Sequence, residues 1–463
     1  MTGFRRASVV GGIAMLTLFT PAAADAHGIG GRADLPVPVG FFAIGAAIVI
    51  VGSFVMLSAL WTEPRLQDGS WLSSSRPAWA RSIARFLGFV GLVGLGLVIV
   101  AGLGDGSASS HNVSPVLVYV YFWLVVPFLS ALVGDWWRWI SPWGTLSRWV
   151  NQDRVERHDL VDRFGIWPAA ITFVAFTWLE LVAPSGSEPA TLAIAALGYT
   201  LYVVAAGYFA GPESGLQIAD AFHNYNGLIG AIAPVDLVPS DGVGATTATA
   251  TSSPVLARRR WLSALPVVPE RPGLIALVVA MIGTVTYDGI SGTEWWAVFV
   301  DELRRQTWFR TFALLAFVLL IGAAYWLASW AAARIAGGDW SAARVASRFA
   351  HSLVPIGLAY AVAHYITLIL FEGQLLLSAI SDPFGQGWDL FGTADWSISF
   401  FLSPEAVWYF QVVAIVAGHI AGVVLAHDRA LADFGDDVAV RTQYAMLALM
   451  VALTSLGLFI LAG

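Results

Sequence analysis

Residues 40–61 read GFFAIGAAIVIVGSFVMLSALW and carry no charged side chain. A helix of about 20 apolar residues is long enough to cross the hydrocarbon core of a bilayer. Nine further apolar runs follow, near residues 86–104, 115–134, 165–183, 189–210, 273–288, 310–331, 351–372, 405–426 and 443–462. The sequence therefore predicts an all-α polytopic transmembrane bundle of about ten helices.

The composition agrees with this fold class and narrows the chemistry. Of 463 residues, 57% are hydrophobic and only 12% are charged, whereas soluble domains are about 25% charged. Cysteine and lysine are both absent, which excludes disulfides, thiolate ligands, Schiff-base chemistry and a P-loop lysine. The net charge is −7 without a basic tract, so the expected partner is a lipid bilayer and not a nucleic acid.

The N-terminus has the pattern of an export signal. Residues 1–26 contain Arg5 and Arg6, an apolar stretch, and a final Ala-Asp-Ala, which predict a cleaved signal peptide; the alternative is an uncleaved first anchor. Cleavage would make His27 the first residue. Its amine and imidazole suit Cu²⁺, which favours nitrogen ligands. The alternative is that His27 only begins a tail.

The arginine distribution gives an orientation. If residue 27 lies outside and ten helices follow, eighteen arginines fall in cytoplasmic loops. The outer loops hold only Arg32, Arg304, Arg305 and Arg310. This bias obeys the positive-inside rule. We predict a multi-pass plasma-membrane protein with the mature N-terminus and the C-terminus both outside.

The longest loop divides the chain. Residues 27–211 form a first membrane half of five helices, and residues 273–463 form a second half of five. The predicted cytoplasmic loop 212–272 contains the low-complexity run ATTATATSSP, which is typical of partial disorder. We also expect an interfacial turn at 134–145, and an amphipathic lid or an ordinary solvated loop at 290–308.

Few ionisable residues fall inside the predicted spans. A charged side chain at the centre of a span costs roughly 2.5–3.5 kcal/mol, so such residues are expected to be paired, to bind an ion or to face a cavity. The candidates are Glu180 in the fourth span, Asp288 at the end of the sixth, His351, His364 and Glu372 in the eighth, and His419 in the ninth, with His427 directly after its inner end.

Helical geometry brings some of these side chains toward one another. His364 and Glu372 are ~12 Å apart along one helix axis and share one broad face. Spans eight and nine run antiparallel, so His364 and His419 would approach each other near mid-membrane. The alternative is that each imidazole only bonds a backbone carbonyl or a tyrosine such as Tyr360 or Tyr365. No haem is expected, because span nine has no pair of histidines that matches His351 and His364.

Several segments together resemble a known family. They are HGIGGRADLPVP (27–38), GDWWRWISPWGT (134–145), TVTYDGISGTEWW (284–296), LVPIGLAYAVAHYITLILFEGQ (353–374) and GHIAGVVLAHDRA (418–430). They resemble bacterial, mostly actinobacterial, multi-spanning membrane proteins known as fenitrothion hydrolases. The resemblance implies a membrane-bound hydrolase of phosphotriesters, which are small apolar substrates.

Such a hydrolysis is usually metal-assisted, because a bound ion activates water and polarises the phosphoryl oxygen. With cysteine absent, the expected ion is copper or zinc held by imidazoles and carboxylates in the outer half of the bundle. The predicted catalytic residues are His364, Glu372 and Asp288. The predicted metal ligands are His27, His111, His364, Glu372 and His419.

Two other functions stay open. The chain is alternatively a copper or zinc transporter, or an accessory protein for such an ion. Glu372, His364, His419 and His427 would then form the path, and His27 would be the entry ligand. It is alternatively a membrane partner subunit without chemistry of its own. No nucleophile elbow, HExxH, GxGxxG or Walker motif occurs, so no local motif decides between these functions.

The metal hypothesis is tested by elemental analysis. We predict that the purified protein contains stoichiometric copper or zinc, and that His364→Ala combined with His419→Ala loses the ion because two ligands are removed. A metal-free wild-type protein would end this hypothesis.

Overall fold

The structure is a computed structural model that describes residues 39–104, 112–239 and 254–462. In these ranges it confirms the all-α polytopic bundle. Among the described residues, nine helices are long and apolar enough to cross a membrane, and a tenth crossing results when one pair bent by 61° is counted as a single span. The predicted signal peptide and the run ATTATATSSP lie almost wholly outside the described residues.

The first half contains most of the short elements. In chain order they are α1 Val39–Leu60, β1 Trp71–Ser75, α2 Ala80–Leu103, α3 Val113–Val133, α4 Trp137–Ile140, α5 Pro142–Val150, α6 His158–Phe164, α7 Trp167–Leu181, α8 Pro189–Ala210, α9 Pro212–Ala219, α10 Ala221–Gly230, β2 Val235–Pro239 and β3 Pro254–Arg259. Helices α6 and α7 are the bent pair.

The second half consists of five long helices with four short helices of seven or eight residues between them. They are α11 Leu274–Ser291, α12 Glu294–Val300, α13 Thr307–Ala336, α14 Ala342–Phe349, α15 Val354–Leu370, α16 Leu375–Ser381, α17 Pro404–Phe434, α18 Asp436–Thr442 and α19 Tyr444–Ala462. The predicted lid at 290–308 includes α12 and a 3-10 turn, Asp301–Arg305. Trp295, Val298 and Phe299 are exposed there.

Local sequence sets where these helices begin and end. Ser403 accepts a hydrogen bond from the amide of Ala406, and Pro404 occupies the first helical position of α17. Proline suits this position because its missing N–H would have no helical partner. The same helix ends at Gly435, whose φ is 71°. Glycine adopts this left-handed conformation without steric cost.

A small antiparallel sheet joins two distant loops. Its strand order is β1-β3-β2, with Trp71 opposite Arg259 and Val235 opposite Arg258. The loop after α1 therefore lies on the same side of the bundle as the segment after α10. We call this side the sheet face and the opposite side the far face.

Ion pairs place further loops on the sheet face. Arg348 in α14 binds Glu270 at 3.0 Å and Asp433 at 2.5 Å, which joins the segments before α11, within α14 and at the end of α17. The Trp139 indole donates to the carbonyl of Leu237 in β2, so the loop after α3 also lies here, and the loops that carry the eighteen arginines share one face. That this face is cytoplasmic stays a prediction.

The carboxylate of Asp428 fastens the loop after α1. It is fully buried and accepts hydrogen bonds from the Trp61 indole, the Arg65 and Leu66 amides and the Gln67 side chain, at 2.5–3.0 Å. Four donors replace the water that the carboxylate loses on burial. The HDR sequence at 427–429 therefore has a structural role at the sheet face.

Helices α9 and α10 enter the bundle as a hairpin, although the sequence assigns residues 212–272 to a loop. At its tip, Asp220 caps α10 by accepting from the amides of Phe222 and His223, and it also accepts from the Tyr199 hydroxyl at 2.8 Å. Tyr199 precedes Ala210, the last residue of α8, by eleven residues, which is about 16 Å of helical rise. The tip of the hairpin therefore reaches the middle of the bundle.

A buried ion pair joins two strands of the sheet. Asp236 in β2 lies 3.7 Å from Arg259 in β3, and both side chains are buried. Arg259 also donates to the carbonyls of Gly230 and Ala233. Burial, together with the nearby Asp135 carboxylate, raises the pKa of Asp236 from 3.8 to about 6, against the opposing effect of the neighbouring arginines.

We predict that Asp428→Ala lowers the unfolding free energy by about 3–5 kcal/mol, because it leaves buried donors without an acceptor. The measurement is thermal unfolding in detergent. Asp339→Ala is the control, since Asp339 is exposed on the same face. Equal melting curves for the two variants would contradict the assigned role.

We predict that Asp236 makes stability fall with rising pH. Its folded pKa lies above its unfolded pKa, so its contribution is fully present below about pH 4 and is lost as the pH rises through about 6. Asp236→Asn removes this titration, and Arg259 keeps its two carbonyl acceptors. The fall in melting temperature between pH 5 and 7.5 should be smaller in the variant; parallel curves would count against this assignment.

Candidate functional site

Three side chains meet inside the far half of the bundle. The Oδ2 of Asp288 in α11 lies 2.8 Å from Nε2 of His364 in α15 and accepts a hydrogen bond from the Tyr365 hydroxyl at 2.7 Å. Asp288 and Tyr365 are buried, while the His364 side chain keeps 18% of its surface exposed. The carboxylate thus orients an imidazole that other molecules can reach.

The position of α11 brings Asp288 inward. Nearly every residue of α11 is buried, since it packs against α7, α13 and α15. Gly289 is needed for this packing, because a Cβ there would lie 2.3 Å from the Ile460 side chain and 3.7 Å from Cε1 of His364. Asp288 is fourteen residues from Leu274, about 21 Å along the axis, and therefore lies near the far face.

A second carboxylate lies nearby. Glu180 in α7 interacts electrostatically with Asp288, and its neighbours include the Trp123 indole and the Tyr225 phenol. Its Oε2 atom is buried and has no hydrogen-bond partner within the described part of the chain. Two carboxylates in one interior region attract a proton or a cation.

Arg310 contacts residues that are adjacent in sequence to the two carboxylates, and we call its position the rim of the site. Its guanidinium donates to the carbonyl of Leu181 and interacts with the Tyr287 phenol. Leu181 directly follows Glu180 in sequence, and Tyr287 directly precedes Asp288. A fixed positive charge therefore stands next to both carboxylate-bearing helices at the far face.

A π-helix lines the other side of the site. Residues Val116–Val125 of α3 form this wider helix, and Trp123 lies within it. Trp123 stacks on Tyr225 with ring centroids 5.5 Å apart. π-helical segments are rare and frequently mark functional sites. The apolar run 115–134 predicts a span here but gives no signal for the π-helical winding.

The other predicted residues have different surroundings. Glu372 lies half-buried in a 3-10 turn after α15. His419 is fully buried, and its Nδ1 contacts the carbonyl of Ile415 in its own helix at 2.8 Å. Both ring nitrogens of His427 are engaged, one with Gln443 and one with the carbonyl of Trp61. The alternative of carbonyl-bonded histidines fits the contacts of His419 and His427.

Only some of the predicted metal ligands lie among the residues that the structure describes. Among the described residues, no group of three or more His, Asp or Glu side chains is arranged to hold a metal ion. His27 and His111 lie outside these residues. Asp288 and His364 together supply two ligand types that copper and zinc accept, so the copper or zinc site stays a prediction that needs a further ligand.

The sequence predicts Asp288 and His364 in one site but does not predict which side chains of other helices surround them. Glu180 was visible as an ionisable residue in a span. Tyr365 appeared only as an alternative partner for a histidine, and Arg310 only as an outer-loop cation. Helical spacing relates residues on one helix, whereas these contacts join α7, α11, α13 and α15. The periodicity of the sequence therefore does not predict them.

The site has the chemistry of an oriented base. When Asp288 is ionised it accepts the Nε2 proton of His364, which leaves Nδ1 as a hydrogen-bond acceptor. A carboxylate that fixes the tautomer and orientation of histidine is the arrangement found in enzymes that use histidine as a general base. The same groups can also bind and release a proton.

Comparison of the chain with family models, with curated proteins and with solved structures finds no match.

Proposed function

We propose that this integral membrane protein is a hydrolase of apolar phosphotriesters in which His364 activates water. The observation that carries the proposal is the 2.8 Å contact between Asp288 and His364 in the bundle interior. A buried carboxylate that orients a partly exposed imidazole is expected at a centre of proton transfer. The resemblance to fenitrothion hydrolases supplies the substrate class.

The roles follow from position. His364 accepts a proton from water through Nδ1, and Asp288 stabilises the imidazolium that forms. Tyr365 holds the Asp288 carboxylate through its hydroxyl. Arg310 at the rim provides positive charge where negative charge develops on the phosphoryl oxygen. Glu372, predicted as a catalytic residue, lies half-buried in the turn after α15 and outside this group of contacts.

The bilayer accounts for how such a substrate arrives. A neutral phosphotriester partitions into lipid, and the His364 side chain is partly exposed within the spanning region. A copper or zinc ion bound by Asp288 and His364 would supply Lewis-acid activation of water, and the elemental analysis above tests for it.

A second candidate is transport of a proton or a metal ion through the same cluster. The observation that favours it is Glu180, whose buried carboxylate adds a second acidic group beside Asp288. Acidic and imidazole groups inside a membrane are typical of ion and proton pathways. A hydrolase that uses His364 does not need Glu180, whereas a relay does.

The test measures release of nitrophenolate from a nitrophenyl phosphotriester by the protein in lipid nanodiscs. We predict that His364→Gln lowers kcat about 10²- to 10⁴-fold, the usual contribution of a general base. Asp288→Asn should also lower kcat and change the pH profile, because the imidazole loses its orienting partner. His158→Gln is the control, since His158 is exposed at the sheet face.

Two outcomes would contradict the hydrolase. One is absence of turnover by the wild-type protein. The other is turnover that survives His364→Gln. Proton uptake into proteoliposomes that requires both Glu180 and Asp288, without turnover, would instead support the second candidate.

A further inference from the structure

A second group of ionisable side chains lies around the hairpin of α9 and α10, apart from the site described above. Glu213 lies in the first turn of α9, Asp220 joins the two helices, and His223 lies in the first turn of α10. His223 interacts electrostatically with both of these carboxylates, with the Asp135 carboxylate and with the Arg138 guanidinium. The hairpin therefore brings an imidazole into acidic surroundings inside the bundle.

These groups form a line along one side of α10. Asp220 is the N-cap at the tip of the hairpin, and His223 follows it by three residues, on the same side of the helix. Gly227 is four residues further and shares this side. A Cβ added at Gly227 would lie 3.9 Å from Oδ2 of Asp135. The line thus runs from Asp220 in the middle of the bundle, past His223, to Asp135 at the sheet face.

The side of α10 that carries His223 is not fully closed. His223 and Gly227 both keep part of their surface exposed. Outside the α10 backbone, the Asp135 oxygen is the one neighbour within 4 Å of a Cβ at Gly227 among the described residues. The backbone amide of His223 is hydrogen-bonded to Asp220, whereas its ring nitrogens have no hydrogen-bond partner in the described ranges. An imidazole with exposed surface and no fixed partner can exchange a proton with water.

The end of the line at the sheet face is ionic. Arg148 in α5 donates to Glu213 at 2.7 Å, and Arg138 in α4 donates to Oδ2 of Asp135 at 3.2 Å. The side chains of Arg138, Arg148 and Glu213 are partly exposed. The line of ionisable groups therefore begins in contact with the solution.

The other end of the line is a carboxylate that can hold a proton without losing its contacts. Oδ1 of Asp220 accepts from the amides of Phe222 and His223 and from the Tyr199 hydroxyl. Its Oδ2 is buried and has no hydrogen-bond partner in the described part of the chain. A charged carboxylate oxygen without a partner is costly away from water. Protonation of Oδ2 removes the charge and leaves the three hydrogen bonds to Oδ1 in place.

The charges of this group do not balance. Three carboxylates, Asp135, Glu213 and Asp220, lie beside two guanidinium groups, Arg138 and Arg148. The nearby ion pair between β2 and β3 is balanced in itself. One negative charge therefore has no fixed counterion within the group, and an uncompensated charge away from water is strongly destabilising. A single proton makes the group neutral.

We propose that the α9–α10 hairpin carries a proton from the solution at the sheet face to Oδ2 of Asp220 in the middle of the bundle, with His223 as the carrier. The neutral imidazole takes a proton from hydronium and releases water. The imidazolium then gives a proton to the Asp220 carboxylate, which becomes a neutral carboxylic acid, and the neutral imidazole is restored. Asp135 stabilises the imidazolium between these two steps. No step uses the Asp288 site, so the inference does not depend on the function proposed for it.

The test is infrared spectroscopy of the protein in lipid nanodiscs after a rapid drop in pH, because a protonated aspartate has a carbonyl band that a carboxylate lacks. We expect a band that appears in the wild-type protein and is missing in Asp220→Asn. Asparagine caps a helix as well as aspartate does, so this variant keeps the start of α10. In His223→Gln the band should appear about 10²-fold more slowly, because glutamine cannot carry the proton.

Two further variants separate this route from general acidification. His158→Gln removes an exposed imidazole at the sheet face and should leave the rate unchanged. Gly227→Leu fills the open space beside Asp135 and should slow the band without removing a titratable group. Absence of an Asp220-dependent band in the folded wild-type protein would overturn the proposal whether or not the variants fold. Equal rates in the wild-type protein and in His223→Gln would overturn it as well, because the proton would then reach Asp220 without this carrier.

Discussion

A carboxylate that leaves water must find donors within the protein, and Asp428 and Asp288 meet this constraint in two different ways. Asp428 collects four donors from the loop after α1. Asp288 accepts from Tyr365 and contacts His364. The first carboxylate is enclosed by groups that stay in place, which suits a structural role. The second has an imidazole partner that can change its protonation state and is partly exposed, which suits chemistry.

The two faces of the protein are organised differently. The sheet face is closed by β1–β3, by the Asp428 hydrogen bonds and by the ion pairs of Arg348 with Glu270 and Asp433. Such contacts join loops that are far apart in sequence and fix the positions of the spans relative to one another. The far face carries the Asp288 site, its rim arginine and the short helix α12. A rigid sheet face supports the helices that carry the Asp288 site, and rigid support keeps the hydrogen-bond distances within such a site short.

The candidate site was only partly predictable. Asp288, His364 and Glu180 stood out because an ionisable side chain is rare in an apolar run. Glu372 and His419 stood out for the same reason, but helical rise alone does not decide which neighbouring helix each one faces. His419 contacts a carbonyl of its own helix.

The sequence by itself determined the fold class, the approximate positions of ten apolar segments and the arginine-rich face, because hydrophobic length and charge bias act locally along a chain. It could not determine that residues 212–230 fold back into the bundle, nor that α3 contains a π-helix. It also could not decide which side chains surround Asp288. These features depend on contacts between helices that are remote in sequence, and such contacts are specified by packing in three dimensions.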